Sequence, residues 1–224
     1  MKKKPICSCG CDNFLIKADT LACAHCGLFY FLDDGKNNDV KILYIAARCA
    51  RNADDNKLAA KYYSKLLIKD PKNWEAVFYA AFCEAMNCTI ERIERESIKF
   101  SNCFKSVVPL IAAKSKVKDR DAILDEIYMR VFEAVTMLDH GITKYYNHSN
   151  ERIILEHKMA VAEPYYKFGA EIESQLGTNE PYRMYIIQAY EQFILILRSH
   201  GLSAAWNKEL INELTDKINH LEKL

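Results

Sequence analysis

The sequence has little glycine, little proline and no excess of charge. Its 224 residues include 7 Gly and 5 Pro. Sandwiches, barrels and Rossmann-type folds need more turn residues than that, so a mostly helical chain is favoured. Lys and Arg number 31 and Asp and Glu number 30, which gives a net charge of +1. No global charge excess therefore draws the chain to nucleic acid or to an anionic membrane.

Long apolar segments are also missing. The chain begins Met-Lys-Lys-Lys-Pro and continues into cysteines rather than into the apolar region of a signal peptide. The longest apolar run near the C-terminus, from Phe193 to Leu197, is far shorter than the ~20 residues that cross a bilayer. Apolar residues make up 50% of the chain and charged residues 27%, which is typical of a globular protein. These features predict a cytoplasmic protein whose thiols stay reduced.

Cysteine, in contrast, is abundant, with nine residues in two groups. Five lie in the first 26 residues, where clustered thiols in a reducing compartment indicate metal ligands rather than disulfides. Zinc takes four thiolates from two turns, and a set made of thiolates alone indicates a structural ion because a catalytic zinc keeps an open position. The other four lie in apolar helical stretches and are predicted to pack as small hydrophobic residues: Cys49, Cys83, Cys88 and Cys103.

The N-terminal cysteine segment reads Cys7-Ser8-Cys9-Gly10-Cys11 and then Cys23-Ala24-His25-Cys26-Gly27. It resembles a small bacterial zinc ribbon, in which each half-site reads Cys-x2-Cys-Gly and a short strand with a Phe follows. Phe14 falls at that aromatic position when Cys9-Gly10 is matched to the Cys-Gly pair. The resemblance implies one structural zinc ion on Cys7, Cys9, Cys23 and Cys26, with Cys11 as the substitute for Cys7 or Cys9.

The composition of the sequence changes at residues 33–39, a polar stretch with a turn glycine. Cysteine-rich sequence precedes this stretch, and apolar residues at helical spacing follow it. We therefore expect a β zinc ribbon over residues 1–34, a linker over 35–39 and an all-α domain over 40–224. Apolar spacing after this break predicts about eight helices. The first four cover about 40–52, about 56–69, the segment from after Asn73 to about Asn87, and the segment from Thr89 toward Lys116. The last four cover about 119–138, 150–176, the segment from after Pro181 to Gly201, and the segment that starts near Ser203. Pro164 should kink or break the sixth helix.

Residues 40–73 resemble a tetratricopeptide repeat, a helix hairpin of 34 residues in which small and aromatic residues interlock. Ala46-Ala47, Ala59, Tyr63 and Pro71 carry this resemblance, and Asn73-Trp74-Glu75-Ala76 with Ala80-Ala81 resembles the opening of a second repeat. Residues 40–88 are thus the most repeat-like part of the expected helical bundle. Together with the ribbon they also resemble uncharacterised bacterial zinc-ribbon proteins, a family that implies an architecture and no activity.

No P-loop, dinucleotide fingerprint, GxSxG or paired-carboxylate motif is present, so the sequence predicts no enzymatic activity. We expect a zinc-binding interaction or adaptor protein whose helical domain binds a protein or peptide. Trp74 and Tyr79 are the candidate anchors, although Trp74 is equally compatible with a core position. The alternative is a nucleic-acid-binding regulatory protein that acts through the ribbon. Residues 1–31 carry a net charge of only +2, and four zinc-bound thiolates cancel it, so such binding would be weak.

Overall fold

A computed structural model describes residues 14–17, 20–24, 29–31, 38–146, 151–199 and 205–224. Within these ranges the chain is mainly α-helical. Three short strands precede the helices and form an antiparallel sheet in the order β1-β2-β3: Phe14–Lys17, Thr20–Cys23 and Phe29–Phe31. Phe14 pairs with Cys23, and Ala22 pairs with Phe29.

Eight α-helices follow in the described part of the chain. They are α1 (Asn38–Asn52), α2 (Asn56–Lys69), α3 (Trp74–Met86), α4 (Ile93–Lys114), α5 (Val117–Tyr145), α6 (Glu151–Leu176), α7 (Tyr182–Ser199) and α8 (Ala205–Leu221). The number of helices and the bounds of the first three agree with the sequence prediction.

Local chemistry explains several of the helix ends. Asp55 begins α2, because its side chain accepts a 3.0 Å hydrogen bond from the Leu58 amide. Asn73 does the same for α3 through the Ala76 amide at 3.0 Å. At the end of α6, Gly177 has a φ of +81°, the left-handed conformation that glycine adopts without strain.

The helices pack mostly as successive neighbours. α1 packs on α2, α2 on α3 and α3 on α4, whereas α4 then packs on α6, which packs on α7. The skipped helix, α5, lies across α3, α6 and α7. The helical domain is therefore a layer of hairpins with one long helix across it.

Aromatic side chains join the central helices of this layer. Phe78 of α3 contacts Phe100 and Phe104 of α4, with ring centroids 5.8 and 6.2 Å apart. Phe104 in turn lies 5.4 Å from Phe168 of α6. All four rings are completely buried. The α6–α7 contact is especially close at Gly169, where an added Cβ would lie 3.0 Å from the Tyr190 ring.

Two local predictions were wrong, and one part of a third was wrong. α5 does not end before Gly141 but continues through it to Tyr145, because Val135, Leu138 and Ile142 keep its inner face buried. Of the kink or break predicted at Pro164, the break does not occur, since apolar packing on both sides of the proline keeps α6 continuous. Cys49 is exposed rather than part of the core. Cys83 is buried as expected, and that burial raises the pKa of its thiol to about 12.

Candidate binding surfaces of the helical domain

The predicted zinc ligands Cys7, Cys9, Cys11 and Cys26 lie outside the described residues. Cys23 is the last residue of β2, so in the sequence the Cys23-x2-Cys26 motif begins where this strand ends and comes before β3. Within the part of the chain that the structure describes, no three His, Cys, Asp or Glu side chains converge as a metal site.

The two predicted partner anchors belong to α3. Tyr79 has no exposed surface, and its ring stacks on Tyr63 with centroids 5.4 Å apart. Its hydroxyl donates a hydrogen bond to Glu126 of α5, and the Arg51 guanidinium lies 4.4 Å from its ring centroid. Because α5 covers this side of α3, Tyr79 presents nothing to a partner. Trp74, at the start of α3, is partly buried against the core.

A buried carboxylate organises the contact between α1, α2 and α3. Glu75 is 3% exposed and accepts hydrogen bonds from Tyr44 at 2.6 Å, from Tyr63 at 3.1 Å, and from Arg48 through Nε at 2.8 Å and Nη2 at 2.5 Å. Arg51 lies 3.6 Å away. Burial alone would raise the pKa of Glu75, but the hydrogen bonds from Arg48 and Tyr44 outweigh it and hold the pKa below its usual value. Every strong contact of this carboxylate is internal, so we assign it a role in joining the helices.

The outward side of α5 is a different kind of surface. Met129, Phe132 and Met137 are 55%, 45% and 39% exposed, although they lie in the middle of the longest helix. At 100° per residue these three side chains spread over about 140° on the half of α5 that faces away from the core, and we call this set of three the α5 stripe. They line a groove of about 650 Å³ together with polar neighbours: Arg130, Glu133, Thr136 and His140. Large apolar side chains that are exposed together on one face of a helix make it a candidate binding surface.

The outward side of α2 carries positive charge. Lys57, Lys61, Lys65 and Lys69 recur at intervals of four residues, all four are exposed, and α2 contains no Asp or Glu. At 100° per residue these lysines share an arc of about 120° with two exposed apolar side chains, Leu58 and Ile68. We call these six residues the basic face of α2. Among the described residues, Lys69 alone of the four lysines has an ion-pair partner, Asp39 at 2.8 Å.

Comparisons with protein families, with curated proteins and with solved structures found no match. In the described segments, no helix combines the length and the apolar content that crossing a bilayer would require. The function must therefore be inferred from the surfaces themselves.

Sequence reasoning missed both surfaces, although each leaves a signal. Lysines every fourth residue in a helix without acidic residues are visible in the sequence alone. In α5, apolar residues occur on two sides of the helical wheel: Ile127, Val131 and Val135 are on one, and Met129 is on the opposite one. A helix that has apolar residues outside its core-facing side either is buried on several sides or exposes those residues as a binding surface.

Proposed function

We propose that the protein is a non-enzymatic, zinc-binding interaction protein whose helical domain binds a protein or peptide on the α5 stripe. The exposure of Met129, Phe132 and Met137 carries this proposal. Burying such side chains contributes roughly 25 cal/mol per Å² of apolar surface removed from water. Methionine also adapts its shape to a partner at low cost because its side chain is unbranched and flexible.

The α5 stripe suits an amphipathic helix as the partner. Its groove follows the outward face of one helix, with Met129 near the middle of that face and Phe132 and Met137 on its two flanks. A helix that presents apolar residues at i, i+3 or i+4 and i+7 can place them against such side chains. In the same lining, Arg130 and Glu133 form a 2.6 Å ion pair that offers both signs of charge to polar groups of the partner.

The proposed zinc ion has a structural role in the N-terminal segment. The ligands would be Cys7, Cys9, Cys23 and Cys26, with Cys11 in place of one of the first two. The antiparallel sheet supports this proposal, because Cys23 ends β2 and the Cys-x2-Cys motif falls in the sequence between β2 and β3. A thiolate-only site would stabilise this small sheet and leave no open position for catalysis.

A displayed library of random peptides tests the α5 stripe even though its partner is unidentified. We expect selection on the full chain to enrich peptides with amphipathic helical spacing. Phe132→Glu should weaken their binding at least tenfold, because it replaces an apolar contact by a charge. Val117→Glu is the matched control: Val117 is 70% exposed, lies at the start of the same helix and is not part of the groove.

The control variant should bind the selected peptides within about twofold of the unchanged protein. Circular dichroism must show equal helicity for both variants. If no peptide is enriched, or if enriched peptides bind the Phe132→Glu variant as tightly as the unchanged chain, the proposed use of the α5 stripe is wrong.

A further inference from the structure

The basic face of α2 is a second surface, separate from the α5 stripe. Between Asn38 and Lys69 the chain carries seven Lys or Arg and three Asp, so this segment has a net charge of +4 while the whole chain has +1. The excess lies mainly on α2, whose four lysines extend over about 18 Å at 1.5 Å per residue. Folding leaves this charge on the side of α2 opposite the buried Ala59, Tyr63 and Leu66.

An apolar groove lies next to these lysines. It has a volume of about 330 Å³ and is formed between α1 and α2 by Asp39, Ile42, Leu43, Lys65, Ile68 and Lys69. Ile42 is 45% exposed and Ile68 is 84% exposed, the highest exposure of any large apolar side chain in the described residues. A site that combines a concave apolar floor with a row of cations selects a ligand that is apolar on one side and anionic on its flanks.

We propose that the basic face of α2 and the adjoining α1–α2 groove bind an acidic amphipathic helix of a partner protein. The apolar residues of that helix enter the groove at Ile42 and Ile68. Its Asp or Glu residues, at intervals of four, face Lys57, Lys61 and Lys65. Residues four apart on any α-helix are about 6 Å apart along the axis, so two aligned helices bring each cation opposite one carboxylate.

Two other anionic partners fit the surface less well. A single-stranded nucleic acid is held by aromatic rings on which bases stack, and no aromatic side chain between residues 38 and 72 is exposed. An anionic bilayer is flat, whereas the apolar side chains here line a concave groove.

Fluorescence anisotropy on the full chain tests this proposal with a designed peptide. The probe is a labelled helical peptide of about 20 residues, with Leu along one side and Glu every fourth residue beside it. A scrambled peptide of the same composition is the control probe. We expect saturable binding of the designed peptide that weakens as salt is raised, since the contacts are partly ionic. Binding of the scrambled peptide should be at least tenfold weaker.

Variants then locate the binding site. Lys61→Glu with Lys65→Glu should weaken the peptide at least tenfold, and Ile68→Ser should weaken it about threefold or more. Lys118→Glu with Lys223→Glu makes the same change in net charge at exposed positions elsewhere and should change affinity less than twofold. All these positions are on the surface, so equal helicity and thermal midpoints are expected for every variant.

Three results would overturn the proposal. The first is no saturable binding of the designed peptide. The second is equal loss of affinity in the Lys118→Glu, Lys223→Glu control. The third is tighter binding of phosphatidylserine vesicles or of a single-stranded DNA oligonucleotide than of the peptide, lost in the Lys61→Glu, Lys65→Glu variant. Because the α5 stripe is tested with Phe132→Glu, failure here leaves the proposed function open to its own test.

Discussion

Replacement of Glu75 by glutamine tests how the first three helices are joined. The change keeps the size of the side chain but removes its charge and turns one acceptor oxygen into a donor nitrogen. Tyr44 and Tyr63 can rotate their hydroxyls to accept from the new amide. Arg48 cannot adapt in this way, because a guanidinium has donors only. One of its two hydrogen bonds, at 2.8 and 2.5 Å, must therefore be lost.

The size of the effect follows from these contacts. A hydrogen bond to a charged group contributes about 1.5–3 kcal/mol, and breaking a fully buried ion pair costs about 3–5 kcal/mol. Arg48 is 51% exposed and can regain hydrogen bonds to water, so the range for one hydrogen bond to a charged group applies rather than the range for a buried ion pair. We expect Glu75→Gln to lower the free energy of unfolding by about 2–3 kcal/mol. For a chain of this size, that corresponds to a fall in Tm of roughly 5–10 °C.

Thermal and urea unfolding followed by circular dichroism at 222 nm provide the measurement. Glu84→Gln is the matched control, because Glu84 is 46% exposed and its contact with Lys99 is 4.0 Å long. It should change stability by less than about 0.5 kcal/mol. Arg48→Met, alone and combined with Glu75→Gln, completes a double-mutant cycle in which the coupling should reach about 1 kcal/mol or more. A loss below about 1 kcal/mol for Glu75→Gln, or no coupling, would refute the assigned role.

Three further predictions concern the metal, the core and pH. The purified chain should hold one zinc ion by elemental analysis, and Cys23→Ser with Cys26→Ser should remove it; metal-free protein with all thiols free would contradict the ribbon. Gly169→Val should lower the free energy of unfolding by about 2 kcal/mol or more, since the larger side chain must force α6 and α7 apart. An unchanged urea midpoint would contradict this prediction and show that the two helices separate without loss of stability. Burial alone would raise the pKa of Glu96, but hydrogen bonds from three cations outweigh that effect and lower the pKa to about 2. The stabilisation from that depressed pKa is complete above about 4.5 and is lost as pH falls toward 2. Glu96→Gln should therefore destabilise the protein at pH 7 and progressively less below pH 4.5 in urea titrations; a difference that does not change with pH would be inconsistent with this origin.

Local signals decide how much of the fold could be predicted from the sequence. The starts of α2 and α3 can be predicted from neighbouring residues alone, since Asp55 and Asn73 cap these helices. Gly141 and Pro164 are local signals too, but there the packing of the surrounding apolar residues is stronger than the propensity of one residue. Helix number was thus predictable, whereas the length of α5 and the continuity of α6 depended on contacts distant in the sequence.

The candidate surfaces depended on tertiary structure in the same way. Tyr79 is of a residue type that is common at interfaces, and only the position of α5 shows that its ring is covered. Conversely, Phe132 resembles a core residue in the sequence until the burial of Val131 and Val135 shows which side of α5 faces inward. Periodicity identifies the sides of a helix, but which side the fold leaves exposed is decided by the neighbouring helices.

The contacts that hold α5 in place bear on the proposed binding of a partner to its outer side. Its inner side is fixed by buried apolar residues, and polar contacts join it to helices on both sides. The Tyr185 hydroxyl of α7 donates a 2.7 Å hydrogen bond to Asp121, and Arg51 of α1 lies 3.4 Å from Glu126. A helix attached in this way loses little further freedom when a partner binds, so more of the free energy of burying Met129, Phe132 and Met137 is available for affinity. Under the proposed function, the polar contacts of α1, α3 and α7 with α5 contribute to binding indirectly, because they limit the movement of this helix before a partner arrives.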